Sequence, residues 1–276
     1  MKIPILSRCA ASFVLFAAAI PFAGAGPDSD WTPLFNGRDL AGWTPKFAKH
    51  PLGVNLHDTF RVEDGILKVA YDRYPSFDRQ FGHLYSNVAY SHYVLRLEYR
   101  FVGKPMADAP PWAGYNSGVM VHAQSPLSLG LNQDWPVSLE LQFLCVGTSA
   151  GRQTGNACTP GTHLELDGKL TTAHIIDAKD SALSPHDEWV EAEIEVHGHD
   201  LVIHRINGRE VLRYGRPQLD PKDGDAQRLI AAGHPLTLGF GHIALQAESQ
   251  PVWFRNVRIK ALPRGGTTSV SSASIF

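Results

Sequence analysis

The strongest constraint on this chain is a two-residue alternation of apolar and polar side chains, cut at short intervals by tight-turn dipeptides. In Ser138–Phe143, Leu139, Leu141 and Phe143 share one side, while Ser138, Glu140 and Gln142 share the other. In His242–Glu248 the same split groups His242, Gln246 and Glu248. Tyr93–Phe101 separates Leu95, Leu97 and Tyr99 from Arg96, Glu98 and Arg100, and Gly118–His122 separates Val119 and Val121 from Met120 and His122. Successive side chains point to opposite faces of a strand, so each segment reads as a strand with a core face and a polar, solvated face. Asp64-Gly65, Asp167-Gly168 and Asn207-Gly208 separate further apolar runs. Both residues of such dipeptides tolerate the positive φ that a type I′ hairpin turn requires.

The spacing predicts further strands over Phe60–Glu63, Ile66–Val69, Val137–Leu144, Trp189–Val196, Leu201–Ile206, Arg209–Tyr214, Leu236–Gly239 and Val252–Ala261. No 3.6-residue period runs long enough to predict a helix. Glycine and proline together make 44 of 276 residues, above the typical share of roughly 12%. The expectation is an all-β chain of two stacked antiparallel sheets. Irregular connections are expected at Trp43–Thr59, Tyr71–Ser91, Gly103–Asn116, Gln124–Pro136, Leu144–Thr162 and Gln218–His234.

The first 25 residues read as an export signal: Lys2 and Arg8, an apolar stretch Cys9–Ile20, and a small-residue cleavage site at Ala23-Gly24-Ala25. The stretch is short of the roughly 20 apolar residues of a membrane span. A periplasmic or secreted chain without stable membrane insertion is expected, with one β domain over residues 31–262 and a flexible tail over 263–276. Losing the leader removes two cations and no acid, taking the formal charge from −2 to −4. Nucleic acid, which calls for a basic face, is not an expected partner. Cys145 and Cys158, 13 residues apart, fit either a disulfide or two separate buried thiols.

The polar faces carry carboxylates, amides, imidazoles and guanidinium groups, where an idle solvated sheet would carry Thr, Ser and Lys. That composition suits the handling of carbohydrate. Glu140 ranks first as an acid/base, against the alternative of a sheet carboxylate paired to Arg96 or Arg100. Glu248 is a second carboxylate or a metal ligand, and His122 a proton shuttle or oxygen donor unless it is structural. Gln142, Gln246 and Asn116 offer amides to sugar hydroxyls, Arg96 and Glu98 a grip or merely an ion pair. Trp112, Tyr115 and Trp135, in loops, could stack on sugar rings, whereas Trp43, Trp189 and Trp253 read as packing. His83, His163 and His174 are further loop candidates. A divalent cation such as Ca²⁺ is compatible with a sandwich of this type, but no His-x-His-x-His, HExxH, phosphate-binding glycine loop or GxSxG occurs.

Leu34–Trp43 (LFNGRDLAGW), Phe60–Leu67 (FRVEDGIL), Asn116–His122 (NSGVMVH), Glu140-Leu141-Gln142 and Ile243–Ile259 (IALQAESQPVWFRNVRI) together resemble the 3-keto-disaccharide hydrolase family. The segment Thr154–Thr162 resembles one branch of it, and puts Arg152 and Asn156 where they could reach over a site. The resemblance implies a concanavalin A-like jelly-roll sandwich, exported, that cleaves glycosides whose sugar carries a ketone at C3. Such a reaction needs a base near C2, a donor at the ketone oxygen and an acid at the leaving oxygen. A lectin-like binding module and a conventional glycoside hydrolase remain alternatives on the same face.

Overall fold

The structure, a computed structural model, describes residues 30–264, so the expected leader and most of the expected tail lie outside the described residues. The chain enters on β1 (Trp31–Pro33) and β2 (Trp43–Phe47), then makes the hairpin of β3 (Phe60–Glu63) and β4 (Ile66–Val69). Two long strands follow, β5 (Gly82–Tyr90) and β6 (His92–Phe101), and then β7 (Asn116–Ala123) and β8 (Leu139–Leu144). Short strands β9 (Ala157–Cys158), β10 (Thr162–Leu166), β11 (Lys169–Thr171) and β12 (Ile175–Ile176) lead to β13 (Val190–His197), β14 (Leu201–Ile206) and β15 (Arg209–Leu219). A helix α1 (Gly224–Ala231) precedes β16 (Gly241–Ala247) and β17 (Val252–Ala261).

The strands form two sheets, and every pairing between them is antiparallel. One runs β11-β10-β15-β14-β13-β6-β17-β4-β3, with β1 also on β17; the other runs β12-β9-β8-β7-β16-β5-β2. Neighbours far apart in sequence, such as β7 beside β16, give the jelly-roll sandwich. All three dipeptide hairpins form where expected.

The core lies between the sheets. Leu139, Leu141 and Phe143 of β8, with Ile243 and Leu245 of β16, face Tyr93, Leu95, Leu97 and Tyr99 of β6, all within one buried cluster. Tyr99 and Phe143 stack across it with ring centroids 3.9 Å apart. On β17 the alternation survives a bulge. Asn256, at φ 53, is the extra residue between the pairs Arg255↔Glu98 and Arg258↔Arg96, so Phe254 and Val257 both point inward.

Several expectations fail at element level. Trp43–Phe47 and Ala157–Cys158, expected within irregular connections, are the strands β2 and β9, each paired to a longer neighbour. Gly82–Tyr90, expected within an irregular connection, is a strand; Gly82, Ser86 and Asn87 dilute its apolar alternation. Gly224–Ala231 is a helix of two turns, too short for a visible period, capped by Asp223 accepting from Asp225 and Ala226 N–H. Leu236–Gly239 is no strand and contributes a single bridge, Thr237 to Gln218. Among the described residues no helix is long and apolar enough to cross a membrane.

Candidate active site

The polar face of the β8-β7-β16-β5 sheet is dry. Glu140 is 5% exposed, Gln142 6%, Gln246 1% and Glu248 3%. Cross-strand register sets them in rows. Cys158, Glu140, Met120, Ala244 and Tyr85 are successive partners in one row. Gln142 pairs with Gly118, and Gln246 with His83, which pairs in turn with Lys46. Gly118 creates the space Glu140 occupies. A Cβ there would stand 2.3 Å from Glu140 Oε1 and 2.9 Å from its carboxyl carbon, so any other residue would displace the carboxyl group.

Burial without counter-ions governs the electrostatics. The Glu140 carboxyl is pushed up to about 8 by desolvation, partly offset by a hydrogen bond from the Cys158 thiol. Glu248 is raised well above the usual carboxylate range, first by burial and then by the nearby Glu140 charge. Two carboxyl groups so placed cannot both ionise at neutral pH. His83 is depressed to about 3 by burial and then by Lys46, so its imidazole is neutral; burial also keeps the Tyr85 phenol protonated.

Five buried polar atoms on this face have no protein partner: Glu140 Oε1, Glu248 Oε2, Gln246 Oε1, His83 Nε2 and Tyr85 OH. An unpaired buried polar group costs about 1–3 kcal/mol, and native structures keep few of them. Three of the five, on Glu140, Gln246 and Glu248, belong to residues that line one cavity.

Loops close the two sides of that face unequally. Over Tyr85 and Met120, Leu129 and Trp135 pack down on the sheet. Over β7, β8 and β16 a cavity of about 530 Å³ remains, lined by Glu140, Gln142, Gln246, Glu248 and Cys158 at its floor, with Trp112, Trp135, Arg152 and His174 as walls. Trp112 and Trp135 approach at 5.8 Å between ring centroids, and Phe81 backs Trp112 in a near-parallel stack. Among the described lining residues Arg152 alone has a permanent positive charge, and Asp177 holds it at 2.9 Å. Amides brace the floor. Asn156 Nδ2 donates to Gln142 Oε1 at 3.0 Å, and Gln142 Nε2 donates to Asn116 Oδ1 at 3.3 Å. Asn156 thus acts behind Gln142 rather than in the cavity.

The structure does not bring all the expected residues together. Arg96 and Glu98 lie on β6, in the other sheet, and point outward. Arg96 binds Glu193 at 2.6 Å and Glu98 binds Arg255 at 2.6 Å. They form surface ion pairs and cannot grip a ligand at Glu140, nor can Arg96 or Arg100 serve as its counter-ion. His122 is also excluded, by a bulge. The register runs Met120↔Ala244 but Ala123↔His242, leaving His122 as the extra residue at φ 48. The bulge puts Ala123 on the Tyr85 side and turns His122 to Gly198, whose carbonyl it meets at 2.9 Å. Gly241 permits the close approach, since a Cβ there would stand 2.4 Å from the His122 carbonyl carbon.

The cysteines are separate buried thiols, Cys145 in the inter-sheet core and Cys158 at the cavity floor. Of the loop histidines, His163 binds Asp220 at 3.2 Å, His174 reaches the cavity wall, and His83 sits on β5. Among the described residues no group of three or more His, Cys, Asp or Glu side chains is placed to hold a metal ion. Tyr85, Lys46 and the cavity role of Cys158 escape sequence reasoning. The signal available was the alternation Gly82-His83-Leu84-Tyr85, which turns His83 and Tyr85 to the same face.

The site is thus a pair of buried carboxyl groups under an aromatic-walled cavity, on one sheet of an all-β sandwich. Residues 30–260 match the 3-keto-alpha-glucoside-1,2-lyase-like domain, and the chain belongs to that family. Among curated proteins none matches the sequence. Solved structures share the fold. A candidate glycosyl hydrolase from Parabacteroides distasonis ATCC 8503 aligns with TM-score 0.50 at 18% identity, over 85% of this chain and 94% of that one. A Bacillus subtilis protein of unknown function with a galectin-like fold aligns with TM-score 0.52 at 11% identity, over 85% and 96%. A structure from work on endo-acting O-glycanases of human gut bacteria that initiate mucin breakdown gives 0.50 at 17%, over 84% and 98%.

Proposed function

We propose that the protein cleaves the glycosidic bond of a sugar oxidised to a ketone at C3, by acid/base elimination across C1 and C2. The observation that carries this reading is the Glu140–Glu248 pair, two carboxyl groups raised toward neutrality with unpartnered oxygens on one buried face. A C3 ketone acidifies the hydrogen on C2. Glu140, the more readily ionised of the two, takes that proton, and the electron pair forms an enolate across C2, C3 and the ketone oxygen. The enolate then collapses to a C1=C2 double bond and expels the oxygen on C1, which receives the proton held by Glu248. The products are an unsaturated keto sugar and a free alcohol; water adding to the double bond would make the sum a hydrolysis. Proton exchange with solvent returns Glu140 to the carboxylate and Glu248 to the acid. A neutral amide donor on the cavity floor, Gln246 above all, suits a developing enolate oxygen.

The family match supports the substrate class, and the leader-like first 25 residues support a reaction in the periplasm or outside the cell. The test is to incubate the purified protein, with and without added divalent metal, with 3-keto-disaccharides and follow release of sugar. Glu140→Gln is expected to lower kcat by about 10²–10⁴-fold, with the melting temperature kept within a few degrees. Absence of release from several linkages would overturn the proposal. The wall formed by Trp112 and Trp135 also suits a non-catalytic sugar-binding module; binding of unoxidised glycans without product would select that reading. Cleavage of unoxidised glycosides would select a conventional hydrolase.

A further inference from the structure

Glu140 has two neighbours that fix its position, and one of them is a thiol. On one side Gly118 leaves the slot its carboxyl group occupies. On the other, Cys158 is its cross-strand partner in β9, 5% exposed and on the floor of the same cavity. β9 has two residues and is held from behind by β12, through Ile175↔Cys158 and Ile176↔Ala157. Cys158 is therefore placed by backbone pairing on both sides. The thiol stands directly across from Glu140 on the same cavity floor and, as a hydrogen-bond donor, lowers the pKa of its carboxyl group, while Glu140 Oε1 has no protein partner.

We propose that Cys158 is a positioning residue for Glu140: its S–H group anchors the carboxyl group in the slot over Gly118, at the floor of the cavity. The arrangement suits a thiol better than a cation. A cation would hold Glu140 as a carboxylate bound too firmly to accept a proton, whereas a weak neutral donor orients it and leaves it basic. Burial, and then the Glu140 and Glu248 carboxyl groups, keep the thiol itself protonated, so Cys158 acts as a donor and not as a nucleophile.

The turnover arm of the test rests on the elimination reading; the thiol arm does not. In the thiol arm, alkylation of Cys158 by iodoacetamide is followed against pH, with peptide mass analysis assigning the modified cysteine. Glu140→Gln removes the charge that holds the thiol proton, so alkylation should begin at lower pH and run roughly tenfold faster at fixed pH. Equal alkylation profiles in the two proteins would overturn the contact. In the turnover arm, Cys158→Ala should move the rising limb of the pH–rate profile to higher pH and lower kcat at neutral pH by roughly tenfold, with KM little changed. Cys158→Ser, which keeps a donor, should restore the limb. A wild-type profile in Cys158→Ala would overturn the positioning role. If no 3-keto-glycoside is cleaved by any form, the elimination reading fails, and the alkylation profiles alone decide whether the thiol anchors Glu140.

Discussion

Glu140 is governed by its immediate neighbours, and its protonation has a consequence for stability. Its folded pKa of about 8 lies above the ordinary 4.5, so the folded chain keeps a proton that the unfolded chain releases. The stability from that proton is complete below about pH 4.5 and is lost as pH rises through about 8. His83, His122 and His204 run the other way, depressed by burial to about 3, 4 and 4. Their contribution is complete above about 6.5 and lost as pH falls toward 4. Between pH 6.5 and 8 the histidines are silent, so the melting temperature of the wild type is expected to fall across that window. Glu140→Gln should make the slope shallower, and a slope unchanged by the substitution would place the proton elsewhere. At the neighbouring position, Gly118→Ala sets a Cβ 2.3 Å from Glu140 Oε1. Because the flexible carboxyl end can swing aside, the fold should survive, while kcat should drop about 10²-fold from misplacement alone. Kinetics and a melting curve on the same preparation check both halves. Sequence alone ranked Glu140 first because it stands in a polar row within a strand, but gave no sign that the row is dry.

At the scale of elements, bulges decide which side chains serve the cavity. Alternation counted along Gly118–His122 sets His122 beside Met120, yet one extra residue in β7 turns it away. A structural His122 predicts that His122→Asn, which loses the bond to the Gly198 carbonyl, costs about 1–3 kcal/mol of stability. Its kcat/KM should stay within about threefold of wild type, as steady-state kinetics would measure; a collapse of kcat with unchanged stability would return His122 to the chemistry. The bulge at Asn256 in β17 has the opposite effect and preserves the core face. Neither bulge shows as a composition signal, since each is defined by what the neighbouring strand offers opposite. β5 escaped detection for a related reason. Its Ser86 and Asn87 interrupt the apolar alternation, but Ser86 Oγ accepts from the Ile243 N–H of the next strand at 3.0 Å, so pairing with β16 overrides the local preference. α1 and β9 are too short for any period to register.

For the molecule as a whole, the two sheets separate two kinds of polar surface. The outer face of the β13-β6-β17 sheet is a lattice of ion pairs and Arg–Trp contacts, with Arg96 over Trp31 at 4.7 Å and Arg255 over Trp189 at 4.1 Å. The inner-sheet polar face is buried, uncompensated and under a cavity. Arg96→Ala should therefore leave turnover unchanged and cost no more than about 1 kcal/mol, because a partly exposed pair contributes little; denaturant titration and a rate assay check this together. By itself the sequence determined the all-β class, the hairpins, the core faces of the strands and the candidacy of Glu140, Gln142, Gln246 and Glu248. These follow from local geometry, since a strand alternates its side chains whatever it pairs with. Tertiary structure alone decided that β6 belongs to the far sheet, that β16 sits beside β7, and that Cys158 and Gly118 flank Glu140. It also decided that loops bearing Trp112 and Trp135 keep the polar face dry. Which faces meet depends on long-range pairing and on loop packing. Those are properties of the whole sandwich that no single strand encodes.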